Sequence, residues 1–278
     1  MILKPPTNYA GSKDKLMPQL LKFFPESNTV DRFYDVFTGG LSVSVNSPYQ
    51  KIIANDIITP LIQFYQSLYF MSINDWSDRE IEIIKSFKID KTSKEQFLKV
   101  REEFNVDGNP YKFFALISSC TNNMMRFNKR FKFNQTFGER TINDNTIQKL
   151  NDYCKVMKNK NFTFTNLSYP ELFKQFPPNQ NDFVYLDPPY FQIAEAGYNA
   201  YWSKELEEGL YTLLDDLNEK NIRFALSGMS VHKGKTNPFL HKLEKFKIIE
   251  LEHNYEKVAR KKQNGESKEI LITNYCNT

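Results

Sequence analysis

Residues 181–191 read NDFVYLDPPYF, and this stretch joins a strand pattern to a polar, rigid ending. The apolar run that ends at Leu186 predicts a buried strand. An acid, two prolines and an aromatic residue follow it directly, namely Asp187, Pro188, Pro189 and Tyr190. The simplest interpretation is a strand followed by a proline turn with a capping aspartate and surface aromatics. The rest of the chain favours a functional loop instead.

The stretch lies within an alternation of strand and helix patterns. Apolar strand-length runs alternate with amphipathic helical runs on both sides of it. This alternation predicts an α/β protein with a doubly wound, mostly parallel sheet and helices on both faces. Because ligands of such sheets bind beyond the carboxyl ends of the strands, we expect the chemistry there. Four of the predicted strands end at Phe37, Asp56, Asn166 and Leu186.

A helical, charged region interrupts this alternation. Patterns such as SDREIEIIKSF and PYKFFALISSC indicate amphipathic helices with charged outer faces. We therefore predict one unit made of residues 1–60 and 158–278, with a second unit of residues 61–157 inserted into it. The insertion carries RFNKRFKFNQTFGER at residues 126–140, where basic and aromatic residues alternate. This segment predicts a basic β-hairpin.

The composition excludes several classes of protein. Hydrophobic residues make up 40% of the chain, and no apolar run approaches the roughly 18 residues of a membrane-spanning helix. The opening sequence MILKPPTNYAGSKDK lacks the apolar segment of a signal peptide. The three cysteines lie far apart and the three histidines have no ligand spacing. We therefore expect no structural metal, no membrane partner and a reducing, cytoplasmic location.

The first predicted strand is followed by a glycine turn, DVFTGG at residues 35–40. Glycine has no Cβ, so Gly39 and Gly40 allow a tight turn and a close approach of a ligand to the backbone. Asp56 ends the next strand about 20 residues further on, where a carboxylate can accept hydrogen bonds from ribose hydroxyls. A structural turn and a helix N-cap are the alternatives. Together the two features favour an adenosine-containing cofactor.

The Asp-Pro-Pro-Tyr segment fits chemistry on a nucleobase amino group. The nitrogen lone pair is delocalised into the ring, so the group is a poor nucleophile. Two acceptors on its N–H bonds, the Asp187 carboxylate and the Pro188 carbonyl, would draw the nitrogen towards tetrahedral geometry. Pro189 excludes the α conformation at Pro188 and so fixes its carbonyl. Tyr190 would stack on an extruded base.

Several motifs resemble those of Dam-type adenine-N6 DNA methyltransferases, particularly the T-even phage Dam enzymes. They are YAGSK at residues 9–13, DVFTGGLSVS at 35–44, TNNMMRFNKRFKFNQTFGERT at 121–141 and DFVYLDPPY at 182–190. The resemblance covers nearly the whole chain in order. It implies a class I, Rossmann-like methyltransferase fold, S-adenosylmethionine as methyl donor with S-adenosylhomocysteine as product, and double-stranded DNA as partner.

The resemblance also implies a set of cofactor-binding residues. Asp187, Pro188, Pro189 and Tyr190 match the family's catalytic loop. Asn166 stands where many relatives have aspartate, and either side chain can bond the cofactor adenine. The residues matched to the cofactor are Tyr9, Ala10, Gly11, Lys13, Asp35, Phe37, Thr38, Gly39, Gly40, Asp56, Asn166 and Asp187.

The insertion matches the family's target-recognition domain. Five basic residues and one acid between positions 122 and 140 give a local charge of +4, equal to the net charge of the chain. Phosphate attraction is expected, with Arg140 reading a base and the lysines contacting phosphates. A solvated hairpin is the alternative. The residues matched to DNA are Asn122, Asn123, Met124, Met125, Arg126, Lys129, Arg130, Lys132 and Arg140.

Other functions remain open at this point. The acceptor could be cytosine N4, an RNA base or a protein glutamine, although the leading aspartate and the duplex-type insertion weigh against each. A non-catalytic DNA-binding protein on the same scaffold is a further alternative. The resemblance suggests GATC as the recognition site. Tyr201 and Trp202 either wall the pocket or pack in the core, and the basic loop at 257–268 either contacts DNA or is solvated.

Overall fold

The computed structural model describes most of the chain. Ala10, Met124 and Lys129, which the sequence assigns to the cofactor or to DNA, lie outside the described residues, as does most of the basic loop at 257–268. The described residues are 2–6, 9, 11–70, 79–123, 125–128, 130, 132–190, 202–232, 234–252 and 267–276.

One mixed sheet forms the centre of the molecule, with strand order β3-β2-β1-β4-β5-β8-β7 and β6 paired to β5. Strands β1 to β5 are parallel, and β8 runs antiparallel to both β5 and β7. This confirms the predicted α/β fold with a mostly parallel sheet. The strands are β1 (Phe33–Asp35), β2 (Lys51–Asn55), β3 (Asn161–Thr165), β4 (Phe183–Leu186), β5 (Arg223–His232), β6 (Lys235–Thr236), β7 (Lys247–Leu251) and β8 (Lys268–Thr273).

Helices cover both faces of the sheet, and several begin at residues that satisfy their first N–H groups. The side chain of Asn109 accepts from two backbone N–H groups of α6, and Ser168 forms a reciprocal capping box with Glu171 at α8. The helices are α1 (Met17–Phe23), α2 (Ser42–Asn46), α3 (Thr59–Phe70), α4 (Arg79–Ser86), α5 (Lys94–Asp107), α6 (Pro110–Ser119), α7 (Asp144–Lys158), α8 (Tyr169–Gln175) and α9 (Lys204–Glu219).

The central strands bury both of their faces, which explains their continuous apolar sequences. In β4, Phe183 and Tyr185 belong to the core under α1, α3 and the inserted helices, whereas Val184 and Leu186 belong to the core under α8 and α9. All four side chains are fully buried. The strand therefore holds the segment that follows Leu186 rigidly at the edge of the sheet.

The chain between β2 and β3 contains α3 to α7 and no regular strand among its described residues. Helix α3 contains the predicted boundary at residue 60, and its Tyr65 ring lies 6.4 Å from Phe164 of β3. The division into two units stays a prediction. The predicted basic hairpin differs in detail, because its described residues form two isolated bridges, one of them Phe127–Phe133, instead of regular strands.

Side chains replace part of the ladder in this hairpin. Asn105 of α5 accepts from the backbone N–H of Phe133 at 2.7 Å and donates to its carbonyl at 3.0 Å. Arg126 donates to the backbone carbonyl of Asn134 at 3.0 Å. These contacts satisfy backbone groups that a β-ladder would otherwise use, so alternation of residue types alone overstates the regularity of the hairpin.

An ion pair between Asp182 and Arg32, whose side chain is 34% exposed, joins β1 to β4 at the edge opposite their carboxyl ends. Asp182 is completely buried, and its two oxygens accept from the Arg32 side chain at 2.7 and 3.2 Å and from two backbone N–H groups, those of Arg32 and Asn179. Its acceptors are therefore well satisfied, which offsets the cost of burying the charge.

Removing Arg32 should show how much free energy is needed to bury the Asp182 charge without it. Arg32→Ala is expected to lower the free energy of unfolding by about 3 kcal/mol, because Asp182 would stay buried without its cation. Urea unfolding followed by circular dichroism measures this. The matched control is Lys51→Ala, which removes a 3.6 Å pair with Asp31 whose two side chains are both 61% exposed. The control should cost below about 0.5 kcal/mol, and equal losses in the two variants would contradict the assignment.

Candidate active site

The parallel strands end at one edge of the sheet, and four polar side chains follow them there. Asp35 ends β1, Asp56 follows β2, Asn166 follows β3 and Asp187 follows β4. The strand order reverses between β1 and β4, which is where ligands of such sheets bind. The fold thus brings together residues that are widely separated in the sequence.

The centre of this edge is an ion pair between Lys13 and Asp187. The Lys13 ammonium lies 2.8 Å from Asp187 Oδ2, and the two side chains are 5% and 16% exposed. The ammonium also donates to the carbonyl of Gly11 at 3.1 Å and lies 5.3 Å from the centre of the Tyr190 ring. The resemblance matched Lys13 to the cofactor, and the structure places its ammonium on the Asp187 carboxylate.

Burial and pairing act on both charges. Burial raises the pKa of Asp187, and the Lys13 ammonium partly offsets that rise. Burial disfavours the charge on Lys13, but Asp187 and the neighbouring Tyr190 hold its pKa well above the usual range. The ammonium therefore stays protonated. A carboxylate with a raised pKa is a stronger hydrogen-bond acceptor than one in water.

The glycine turn after β1 is shaped by its contact with Tyr9. A Cβ on Gly39 would lie 2.7 Å from a ring carbon of Tyr9, and one on Gly40 would lie 2.9 Å from the Tyr9 Cβ. Gly39 also has a positive φ of 45°. The turn is held further by Tyr65, whose hydroxyl donates to the Gly39 carbonyl at 2.8 Å. Only glycine at both positions fits this approach.

Asp35 stabilises the turn by accepting hydrogen bonds from side chains in it and just after it. Its Oδ2 accepts from the hydroxyl of Ser44 at 2.6 Å and from that of Thr38 at 3.2 Å. Burial raises the pKa of Asp35 to about 7, although these hydrogen bonds oppose the rise. The carboxylate therefore links β1, the turn and α2.

Asp56 and Asn166 form the far side of the edge. The two carboxylate oxygens of Asp56 accept from the backbone N–H groups of Gly39 and Ile58, each at 3.0 Å. Asn166 donates to the Asp56 carbonyl at 2.7 Å and accepts from Thr59 at 2.7 Å. Asn166 also lines an open groove of about 550 Å³, which is in the size range of small-ligand sites.

Asn55 is a site residue that the sequence did not single out. Its amide donates to the carbonyls of Val36 and Leu167, each at 3.0 Å. Its oxygen accepts from the Thr165 hydroxyl at 2.9 Å and from the Leu167 N–H at 3.1 Å. Asn55 therefore fastens the ends of β1, β2 and β3 together. The sequence signal that could have identified Asn55 is a polar amide at the last position of an apolar strand, beside Asp56.

The structure places the described DNA-binding candidates on one exposed segment of the insertion. Arg126 donates to the side chain and the carbonyl of Asn134, and Arg140 donates to Asn123 Oδ1 at 2.8 Å. Met125 is partly buried against the core. The remaining candidates are Asn122, Arg130 and Lys132, all exposed.

A close backbone crossing brings Asn123 and Arg140 together. A Cβ on Gly138 would lie 2.4 Å from the carbonyl carbon of Cys120, so the two segments touch. The N–H of Gly138 donates to Ser119 at 2.9 Å. Asn122, Asn123 and Glu139, which flank the crossing, have φ values of 57°, 53° and 53°. This left-handed backbone is tolerated best by Asn and Gly.

The described part of the chain has neither a metal-binding cluster nor a membrane-spanning helix. No group of three or more His, Cys, Asp or Glu side chains there is arranged to hold a metal ion. None of its helices is both long and apolar enough to cross a membrane.

The chain is similar to a family of nucleic-acid-modifying enzymes. Residues 9–257 match the family described as D12 class N6 adenine-specific DNA methyltransferase. The modification methylase StsI of Streptococcus sanguinis is 33% identical over 98% of this chain, and the type II methyltransferase M.FokI of Planomicrobium okeanokoites is 34% identical over 99%. The chain spans 43% of the length of each of these relatives.

A third relative has a similar extent. The type II methyltransferase M1.LlaDCHI of Lactococcus lactis subsp. cremoris is 25% identical over 99% of this chain and 96% of its own length.

The buried Asp35 should make stability depend on pH. Its pKa is raised from 3.8 to about 7 in the folded state, so its stabilising contribution is complete below pH 3.8 and is lost as the pH rises through 7. Asp35→Asn cannot ionise. We expect the free energy of unfolding of the unchanged protein, relative to Asp35→Asn, to fall from about pH 4 to about pH 7 in urea titrations. Parallel pH profiles for the two proteins would refute this role of Asp35.

Proposed function

Because the chain belongs to the D12 class of N6 adenine-specific DNA methyltransferases, we propose that it methylates adenine N6 in a short duplex DNA site. S-adenosylmethionine is the proposed methyl donor and S-adenosylhomocysteine the product. The observation that carries the proposal is the Lys13–Asp187 pair at the end of β4, beside Pro188 and Tyr190. The names of the relatives, modification methylases and type II methyltransferases, support a role in DNA modification, for which we propose a cytoplasmic location.

The residues at the sheet edge fit S-adenosylmethionine. The Gly39–Gly40 turn follows β1 where the strand order reverses and packs closely against Tyr9 of the N-terminal segment. Asp56 uses two acceptor positions on N–H groups, and a carboxylate has about four, so it can still accept from ribose hydroxyls. The groove lined by Asn166 has room for a nucleoside. When bound, the cofactor supplies an electrophilic methyl group on sulfur.

Asp187 and Pro188 are the proposed acceptors for the adenine amino group. The carboxylate and the Pro188 carbonyl take the two N–H bonds and draw the nitrogen lone pair out of the ring. Lys13 holds one carboxylate oxygen at 2.8 Å, so it orients Asp187 and keeps it ionised. Tyr190 offers its ring for stacking, which requires that the adenine leave the duplex.

Residues 61–157 are the proposed target-recognition unit. Arg130 and Lys132 are exposed and suited to phosphate contacts, as is Lys129 by its place in the sequence. Arg126 and Arg140 are held by neighbouring asparagines, which limits the conformational freedom they lose on binding. Arg140 can pair with guanine O6 and N7, which fits a site such as GATC.

Loss of Asp187 tests the catalytic role. Asp187→Ala should lower the methylation rate by at least about a hundredfold, because a charged acceptor aimed at the amino group is removed. The assay transfers tritiated methyl groups to duplex DNA, with products resolved as nucleosides by mass spectrometry. The matched control is Asp215→Ala, an exposed aspartate paired with Lys245 on the surface, which should retain the full rate. DNA binding by fluorescence anisotropy should persist in both.

Three results would reject the proposal. A normal rate in Asp187→Ala would remove the aspartate from the reaction. N4-methylcytosine in the digest would assign a different acceptor. Absence of any methylated base, after expression in a methylation-free host and sequencing of its genome, would reject the enzyme activity.

Arg140→Ala tests base recognition. We expect discrimination between the preferred site and single-base variants of it to fall by about 1–3 kcal/mol, because one bidentate contact is lost. The comparison is Arg130→Ala, which should weaken binding to all sequences uniformly and reduce the salt dependence. Site discrimination and salt dependence are both measured from methylation rates on matched oligonucleotides. An unchanged site preference in Arg140→Ala would assign base reading to another residue.

A further inference from the structure

Glu207 is a buried carboxylate that the proposed chemistry does not use. It lies in the first turns of α9 and is 6% exposed. Trp202 Nε1 donates to Glu207 Oε2 at 2.5 Å, and the Tyr211 hydroxyl donates to Oε1 at 2.5 Å. Both donors are uncharged. Burial raises the pKa of Glu207, and these two hydrogen bonds oppose the rise.

One oxygen of Glu207 holds a ring that packs on the cofactor turn. The indole of Trp202 contacts Phe37 edge-on, with centroids 5.5 Å apart and an interplanar angle of 81°. It also lies 5.9 Å from the ring of Tyr169, whose hydroxyl donates to the Leu206 carbonyl at 2.9 Å. Phe37 directly precedes Thr38 and the two glycines of the turn. The orientation of the indole is thus fixed by both packing and a hydrogen bond.

The other oxygen of Glu207 accepts from Tyr211, which lines a small cavity beside the Asp-Pro-Pro-Tyr loop. Glu207 and Tyr211 line a small cavity together with Pro188, Pro189 and Tyr190. The Tyr211 ring packs on Phe239 with centroids 5.6 Å apart. A single carboxylate therefore contacts one side chain beside the cofactor turn and another beside the catalytic loop.

Stability alone does not account for this arrangement. A carboxylate buried between neutral groups costs free energy that an apolar side chain of similar size would not. The positive end of α9 recovers part of that cost, since Glu207 lies near the helix N-terminus. Unlike an apolar side chain, the carboxylate fixes the orientation of two donors at once, the Trp202 indole N–H and the Tyr211 hydroxyl.

We propose that Glu207 is a positioning residue that holds Trp202 as a wall of the cofactor site and ties this wall to the catalytic loop. The inference rests on the proposed function. Trp202 packs on Phe37, so a bound adenosine moiety at the turn changes the surroundings of its indole. Loss of Glu207 releases the indole and weakens cofactor binding more than it slows methyl transfer.

A spectroscopic signature tests this. The chain has two tryptophans, so a Trp76→Phe background leaves Trp202 as the only reporter. Titration with S-adenosylhomocysteine should change its fluorescence. In this background Glu207→Leu should raise KM for S-adenosylmethionine about tenfold with kcat changed by less than about threefold. Glu207→Gln is the matched control, since its oxygen can accept from the indole and its amide can donate to the Tyr211 hydroxyl.

A second variant keeps the test independent of folding in Glu207→Leu. Trp202→Phe keeps an aromatic ring but removes the indole N–H and reduces the ring size, so it should raise KM similarly. The double variant should be no worse than either single one. The inference would be overturned by unchanged fluorescence on titration, or by equal KM values in Glu207→Leu and Glu207→Gln. The proposed function would still hold in that case if the unchanged protein methylated DNA. If the unchanged protein neither bound S-adenosylhomocysteine nor methylated DNA, the proposed function itself would be rejected.

Discussion

The pairing of Lys13 with Asp187 is the contact on which the site depends. It joins the N-terminal segment to the end of β4, and the same segment places Tyr9 against the Gly39–Gly40 turn. The backbone N–H of Lys13 also donates to the Ser42 hydroxyl at the start of α2. The N-terminal segment therefore covers the point where the strand order reverses. Its lysine offsets a carboxylate charge that burial alone would disfavour.

Much of this architecture could be predicted from the sequence because it follows from local patterns. The apolar run before Asp187 has strand length and no polar interruption, so its burial on both faces follows directly. The acids at the ends of β1 and β2 could be placed at one edge because parallel strands share a direction. Membership of a methyltransferase family then agrees with the motifs around the Asp-Pro-Pro-Tyr loop.

Partners that depend on long-range geometry could not be predicted. Asp35 looks like a site acid in the sequence, yet its carboxylate is used inside the turn by Ser44 and Thr38. The hairpin alternates like a strand pair, yet Asn105 from another helix takes its backbone groups. Glu207 sits in a charged helical sequence typical of a solvated face, and only the fold shows that its carboxylate is buried. In each case the role of the residue or segment depends on burial or on contacts with side chains distant in the sequence.

The two ion pairs at opposite ends of the β1–β4 strand pair have a consequence for biosynthesis. A ribosome releases Lys13 and Arg32 long before Asp182 and Asp187, so both cations are made without their partners. Contacts of such large sequence separation slow folding. The nascent chain can therefore neither pair β1 with β4 nor form the contact between Lys13 and Asp187 until residues 182–187 have left the ribosome.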